Sequence, residues 1–207
     1  MPDADTEARI LDAAQRVFLE RGVAAARTQE IADAAGVNKA LLHYYFRSKE
    51  NLADAVFLRA ARTFFPSLLA LATSERPLRE KLRAIVHAQT EVATAHPFLP
   101  GFVLCELRTS PARLSRLLHE TFPVEEARTH LLAALQADLD AEARAGRLRP
   151  VQAEVFLVAL VSQVVFPHAA AHMLDALLGL DADARDRLAA WRRDDLADAV
   201  LRAFAPD

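Results

Sequence analysis

Apolar residues recur at three- and four-residue intervals along almost the whole of this chain, and that spacing restricts it to packed amphipathic helices. Ile10, Leu11, Ala14, Val17 and Phe18 begin the pattern, Leu78, Leu82, Ile85, Val86 and Val92 repeat it, and Leu131, Leu132, Leu135 and Leu139 continue it. The composition agrees, because 43 Ala and 31 Leu stand against 3 Ile, 15 Val and 9 Thr, a balance of helix formers over strand formers. An all-β fold is excluded on both counts. With 207 residues the chain is long enough for one or two domains with a real core.

Proline and glycine supply the punctuation. A first helix is expected over Arg9–Arg21, with Asp5 or Thr6 as N-cap and Gly22 as its stop. Thr28 is placed to cap a short second helix that ends at Gly36, and Asn38 to cap a third over Lys39–Tyr45. Ser48 caps a longer helix from Lys49 to about Phe64, ended by Pro66. Beyond it, Pro77 to Pro97 bounds one helix, an irregular piece follows, Pro111 begins a turn or two, and Pro123 to Gly146 bounds a long helix. Pro150 opens the next, which Pro167 should kink or break, and Gly179 with Asp181 precedes a last helix ending near Phe204. The count is nine or ten helices.

Charge and cysteine narrow the function classes. A formal net charge of −3 argues against a generic polyanion binder, so any nucleic-acid contact must come from a local patch. The one cysteine, Cys105, cannot form an internal disulfide or a multi-cysteine zinc site, which suits a reducing compartment. The acidic start, with Asp3 and Asp5, differs from a secretory leader, so a cytoplasmic location is expected. Val155–Leu174 is a 20-residue run without a charge, long enough to be screened as a membrane span. Ser162, Gln163, Pro167, His168 and His172 interrupt it, so a helix enclosed by other helices is the expected reading, with no membrane partner.

The most informative stretch is local. Two short helices joined by a glycine turn, preceded by a longer one, make a three-helix unit suited to helix-turn-helix DNA recognition. Such a helix needs one anchored side and one side free to read. Val37, Leu41 and Phe46 are the expected anchors, leaving Asn38, Lys39, Leu42, His43 and Tyr44 to face the major groove or flanking phosphates. Residues 34–49 hold three cations (Lys39, Arg47, Lys49) and no acid, although residues 1–47 as a whole carry 6 basic against 7 acidic groups. Both tyrosines, Tyr44 and Tyr45, lie here as uncharged phosphate donors.

The string from Gly36 through Val37, Asn38, Lys39, Ala40, Leu41, Leu42, His43, Tyr44, Tyr45, Phe46, Arg47, Ser48 and Lys49 to Leu52 resembles the recognition-helix signature of the tetracycline-repressor family of bacterial transcription regulators. The resemblance covers roughly residues 6–55. It implies an all-α protein with an N-terminal helix-turn-helix domain (1–47) and a helical domain for effector binding and dimerisation (48–207). It further implies a homodimer on pseudo-palindromic double-stranded operator DNA, usually a repressor, released by a small-molecule effector. Carried over by position, Thr28, Tyr44 and Lys49 would hold phosphates, while Asn38, Lys39, Ala40, Leu41 and His43 would approach bases. His43 stands where the family often has tyrosine, which implies a contact that depends on pH near neutrality.

The remaining chain supplies weaker readings. Phe64, Phe65, Phe98, Phe102, Phe122 and Phe166 are candidates to line an effector cavity, with His87, Gln89, His130 and Gln163 as polar groups that orient a ligand; plain core packing is the alternative. His168 and His172 share a helical face at i, i+4, yet neither HExxH nor paired ExxH motifs occur, so no metal is expected and pocket or bundle contacts are. No phosphate loop or nucleophile elbow is present and Cys105 has no evident base, so neither a cofactor nor an enzyme is expected. The last two long helices carry apolar excess at Val155, Val158, Leu160 and Val161, which pairing with a second copy would bury. The rival reading is a helical small-molecule binding protein or enzyme whose N-terminal unit is structural.

Overall fold

The computed structural model describes residues 3–96, 101, 111–121 and 123–206. Ten helices are found among them: α1 (Ala4–Ala25), α2 (Thr28–Ala35), α3 (Lys39–Phe46), α4 (Lys49–Ala72), α5 (Leu78–Ala95), α6 (Pro111–Thr121), α7 (Val124–Arg144), α8 (Ala153–Ala169), α9 (Ala171–Leu178) and α10 (Ala182–Ala203). The described residues contain no strand. They fall into two compact units. The first holds α1–α3, α4 as far as Thr63, and α6; the second holds the rest of α4, α5 and α7–α10.

In the first unit the core is the stripe anticipated on α1, with Ile10, Leu11, Ala14, Val17 and Phe18 buried against Ile31, Ala32 and Ala35 of α2, Leu42 and Phe46 of α3, and Leu52, Val56 and Phe57 of α4. Polar ties fix the helices around it. Arg59 of α4 donates to the Asp12 carboxylate at 2.7 Å and to Gln15 at 2.9 Å on α1. Arg113 of α6 grips Asp54 of α4 with two hydrogen bonds, 2.6 and 3.2 Å, and the Glu50 carbonyl at 3.1 Å.

In the second unit Leu78, Leu82 and Val86 of α5, Leu135 and Leu139 of α7, Phe156, Leu160 and Val164 of α8, and Leu196, Val200 and Phe204 at the chain's end form one core. Asp181, expected only to separate the last two helices, caps α10 by accepting from the Ala184 amide at 2.7 Å.

Several expected boundaries move. Asp3, not Asp5 or Thr6, caps α1, because the Tyr45 hydroxyl holds the Asp3 backbone from 42 residues away and so extends the helix. Gly22 does leave helical geometry (φ 72°, ψ 159°), but a further turn continues to Ala25. Thr28 is the first residue of α2 rather than its cap; Arg27 is the cap, and the Glu30 carboxylate accepts from its amide at 3.2 Å. α4 runs through Pro66 to Ala72, since a proline deletes one intrahelical hydrogen bond and the flanking Phe, Leu and Ala residues continue the helical pattern. α6 is 11 residues long instead of a turn or two. The uncharged run is divided at Ala170, just after Pro167, into α8 and α9. Among the described residues α4 is long and apolar enough to cross a membrane by length and composition; its first half contributes Leu52, Ala53, Val56, Phe57, Ala60 and Ala61 to the buried residues of the first unit.

Candidate nucleic-acid interface

The geometry starts at Gly36, whose left-handed conformation (φ 65°, ψ 36°) ends α2 and turns the chain into α3. The Gly36 amide donates to Asp33 O at 3.1 Å and the Val37 amide to Ala32 O at 3.0 Å, which satisfies the last carbonyls of α2. Arg9 of α1 braces the turn from outside, donating to Ala35 O at 2.8 Å and Gly36 O at 3.3 Å. A Cβ on residue 36 would stand 3.4 Å from that guanidinium, so glycine answers both the positive φ and the close brace. Asn38 then caps α3 as expected, its Oδ1 accepting from the Leu41 amide at 2.7 Å.

One side of α3 is anchored by Leu42 and Phe46, one turn apart. This reverses one expectation: Leu42 is 2% exposed and Leu41 is 37% exposed, so Leu42 is the anchor and Leu41 lies on the open side. Val37 is half-buried. The register of a two-turn helix is set by which leucine enters the core, and adjacent leucines give the sequence no means to choose. Asn38, Lys39, Ala40, Leu41, His43 and Tyr44 form the exposed side, with Tyr44 68% exposed. Tyr44 and Tyr45 meet edge to face at 5.7 Å, while Tyr45 turns inward and spends its hydroxyl on Asp3, accepting from its amide at 2.9 Å and donating to its carbonyl at 3.2 Å.

The ends of the unit carry the remaining candidates. Thr28 is half-buried at the first turn of α2. Lys49, half-buried at the start of α4, donates to Ala24 O at 2.8 Å and Ala26 O at 3.1 Å, which ties α4 to the segment that enters α2. Ser48 accepts from the Asn51 amide at 3.1 Å, the expected cap. The Glu50 carboxyl is held below its usual range, first by its own backbone amide and then by the Ser48 hydroxyl.

Two functional features escaped the sequence reading. Arg9 as a brace leaves no signature in periodicity. Arg47 was visible as a cation but not as the α3 C-cap with a positive φ of 58° in a non-glycine residue, an exposed charge on a strained backbone.

His87, His130, Gln163 and Phe166 are exposed, and Gln89, Phe64 and Phe65 are half-buried, the two phenylalanine rings lying 5.4 Å apart. Phe98, Phe102 and Phe122 lie outside the described residues. The second unit contains a void of about 30 Å³, lined by Leu78, Leu82, Ile85, Leu131, Leu135, Leu157 and the Lys81–Asp138 pair; none of the expected side chains among the described residues lines it. Among the described residues no three His, Cys, Asp or Glu side chains converge on a point.

Residues 10–56 match the family model for bacterial regulatory proteins of the tetR family, and this segment contains the whole of α2, the turn and α3. Over residues 10–56 the chain thus carries a tetR-family segment. It is 36% identical over 88 residues to the HTH-type transcriptional activator FasR of Mycolicibacterium smegmatis, covering 42% of this chain and 40% of that one. Against the HTH-type transcriptional repressor KstR2 of Rhodococcus jostii the identity is 33% over 86 residues, 42% of each chain. The matched stretch thus spans about two fifths of the length of these tetR-family relatives. Over nearly the full length the fold is similar to a transcriptional regulator FadR from Bacillus subtilis, crystallised with stearoyl-CoA (TM-score 0.62, 20% identity, 94% of this chain and 95% of that one). At that identity the likeness is one of fold.

Proposed function

We propose that this chain is a tetR-family transcriptional repressor that binds double-stranded operator DNA as a homodimer and is released by a small-molecule effector. The observation that carries the reading is α3 itself. It is capped by Asn38, anchored by Leu42 and Phe46, and open along Asn38, Lys39, Ala40, Leu41, His43 and Tyr44. Lys39 and Leu41 approach base edges, Thr28 and Tyr44 hold phosphates, and His43 takes the place of a tyrosine contact. Lys49 acts at the same surface from a fixed position, because two of its three N–H donors are held by Ala24 and Ala26.

In this reading residues 1–47 are the DNA-binding domain and residues 48–207 bind the effector and dimerise, in the cytoplasm. The dimer face is the outward side of α8 and α10, where Val155, Val158 and Val161 are exposed, whereas Leu160, expected beside them, turns into the core of the second unit at 3% exposure; a two-fold pairing of these helices covers the three valines and fixes the spacing of two α3 copies. Any effector occupies the second unit, in the neighbourhood of Phe64, Phe65, His87, Gln89, His130, Gln163 and Phe166.

The test is fluorescence anisotropy of the full chain on DNA from its own upstream region, with unrelated DNA as control and a salt series. Six or more phosphate contacts weaken binding by about 10³-fold or more between 50 and 200 mM salt. Selective, salt-steep binding is expected. Binding that is equal on both DNAs, or flat in salt, overturns the proposal and favours a binding protein with a structural N-terminal unit.

A further inference from the structure

Arg192 of α10 is 8% exposed, and among the described residues its guanidinium has a single hydrogen-bond partner, the Val164 carbonyl of α8 at 2.8 Å. It forms no ion pair there. Its Nε is buried and unpartnered, and so is Nε2 of His168, one turn beyond Val164 on α8. A guanidinium near the C-terminal end of a helix complements the carbonyls there, which accounts for one of its five donors. The rest does not follow from packing. A buried cation without a counter-charge is unfavourable, and a second unpartnered polar atom lies one helical turn from the carbonyl that the guanidinium holds, so two elements of the fold bring together polar groups that packing does not satisfy.

We propose that Arg192 and His168 form a binding site for the carboxylate of a small organic acid with an apolar body. One oxygen accepts from Arg192 Nε–H and the other from His168 Nε2–H, which fills both orphaned positions with charge-assisted bonds. The charge count selects a monoanion. Burial, followed by the Arg192 charge, pushes the His168 pKa down to about 4, so the imidazole is neutral and the site carries a single positive charge. A phosphate dianion would leave one negative charge buried. An apolar body suits the apolar residues that flank the two groups in sequence, Phe166 two positions before His168 and Trp191 one before Arg192.

This site gives the effector proposed above a chemical class and a place; only its regulatory consequence rests on that reading, since binding is measured without DNA. Trp191 is the chain's sole tryptophan and adjoins Arg192, so its fluorescence reports the site. The full chain is titrated with octanoate, octanol and octyl phosphate below their micelle concentrations. Saturable binding of octanoate at least 10-fold tighter than either analogue is expected, with the preference lost in Arg192→Met and partly kept in Arg192→Lys. Equal affinity for octanol, or an undiminished octanoate response in Arg192→Met, overturns the proposal. Should Arg192→Met fail to fold, the three-ligand comparison on the unmodified chain decides alone. Loss of the dimer in Arg192→Met, in a chain that never distinguished octanoate from octanol, assigns the counter-charge to a second copy and also overturns it. Octanoate binding that leaves operator affinity unchanged supports the site and refutes the effector role.

Discussion

The Lys81–Asp138 pair offers a direct test of how the second unit is held together. Its atoms are 2.6 Å apart, with the Lys81 side chain 6% exposed and Asp138 25% exposed. At that distance and an effective dielectric near 20 the direct attraction is about 6 kcal/mol, largely offset by the desolvation of both ions. The pair should therefore be near neutral as a whole but unequal in its halves. Asp138→Leu strands a buried ammonium among Leu78, Leu82 and Ile85 and should lose about 3–4 kcal/mol. Lys81→Met leaves a carboxylate that water still reaches and should lose only about 1 kcal/mol. The double variant Lys81→Met/Asp138→Leu restores an apolar wall beside the void and should fall within about 1 kcal/mol of the parent. Urea unfolding followed by Trp191 fluorescence reports the same unit, and the cycle should give a coupling of about 3 kcal/mol. Equal losses in the two single variants, or losses that add in the double, would refute the argument from unequal burial.

Other perturbations separate stability from recognition. Leu42→Ala should cost about 2–4 kcal/mol in thermal unfolding, whereas Leu41→Ala should cost under about 1 kcal/mol and change the preferred operator bases. Arg47→Gly relieves the positive φ, so the first unit should gain roughly 0.5–1 kcal/mol while all DNA sequences are bound more weakly by a similar factor; lowered stability would exclude strain at this turn. For His168 the pKa falls from 6.5 unfolded to about 4 folded, so the unfolded chain takes up more protons between those values. The stability present above pH 6.5 should therefore decline as pH falls toward 4, by roughly 1 kcal/mol after allowance for partial exposure. His96 is lowered in the same direction by burial, so His168→Gln should flatten only part of the decline in a melting-temperature series.

Local chemistry was legible in the sequence. Asn38 and Ser48 cap where their types and positions say, Gly36 turns where a left-handed residue is needed, and the stripe Ile10 to Phe18 is the buried face of its helix. What failed depended on distant partners. The α1 start moved because Tyr45 reaches Asp3, and Leu41 and Leu42 exchanged roles because only the assembled core decides which of two adjacent leucines points inward. The same limit hid the His168–Arg192 cluster: the i, i+4 spacing of His168 and His172 suggested a shared face, but the partner that matters comes from another helix 28 positions away from Val164.

The bond between Tyr45 and the Asp3 backbone has a practical side for anyone preparing this protein. Whatever is fused ahead of Asp3 leaves the molecule beside Tyr45, next to the exposed Tyr44 and the side of α3 assigned to the operator. A purification tag placed there would sit among the groups being assayed, and a polyhistidine tag would add its own titrating charge to every salt and pH series. Tags and fluorophores belong at the other end, after Phe204, whose ring packs against Phe156 at 5.1 Å in the second unit.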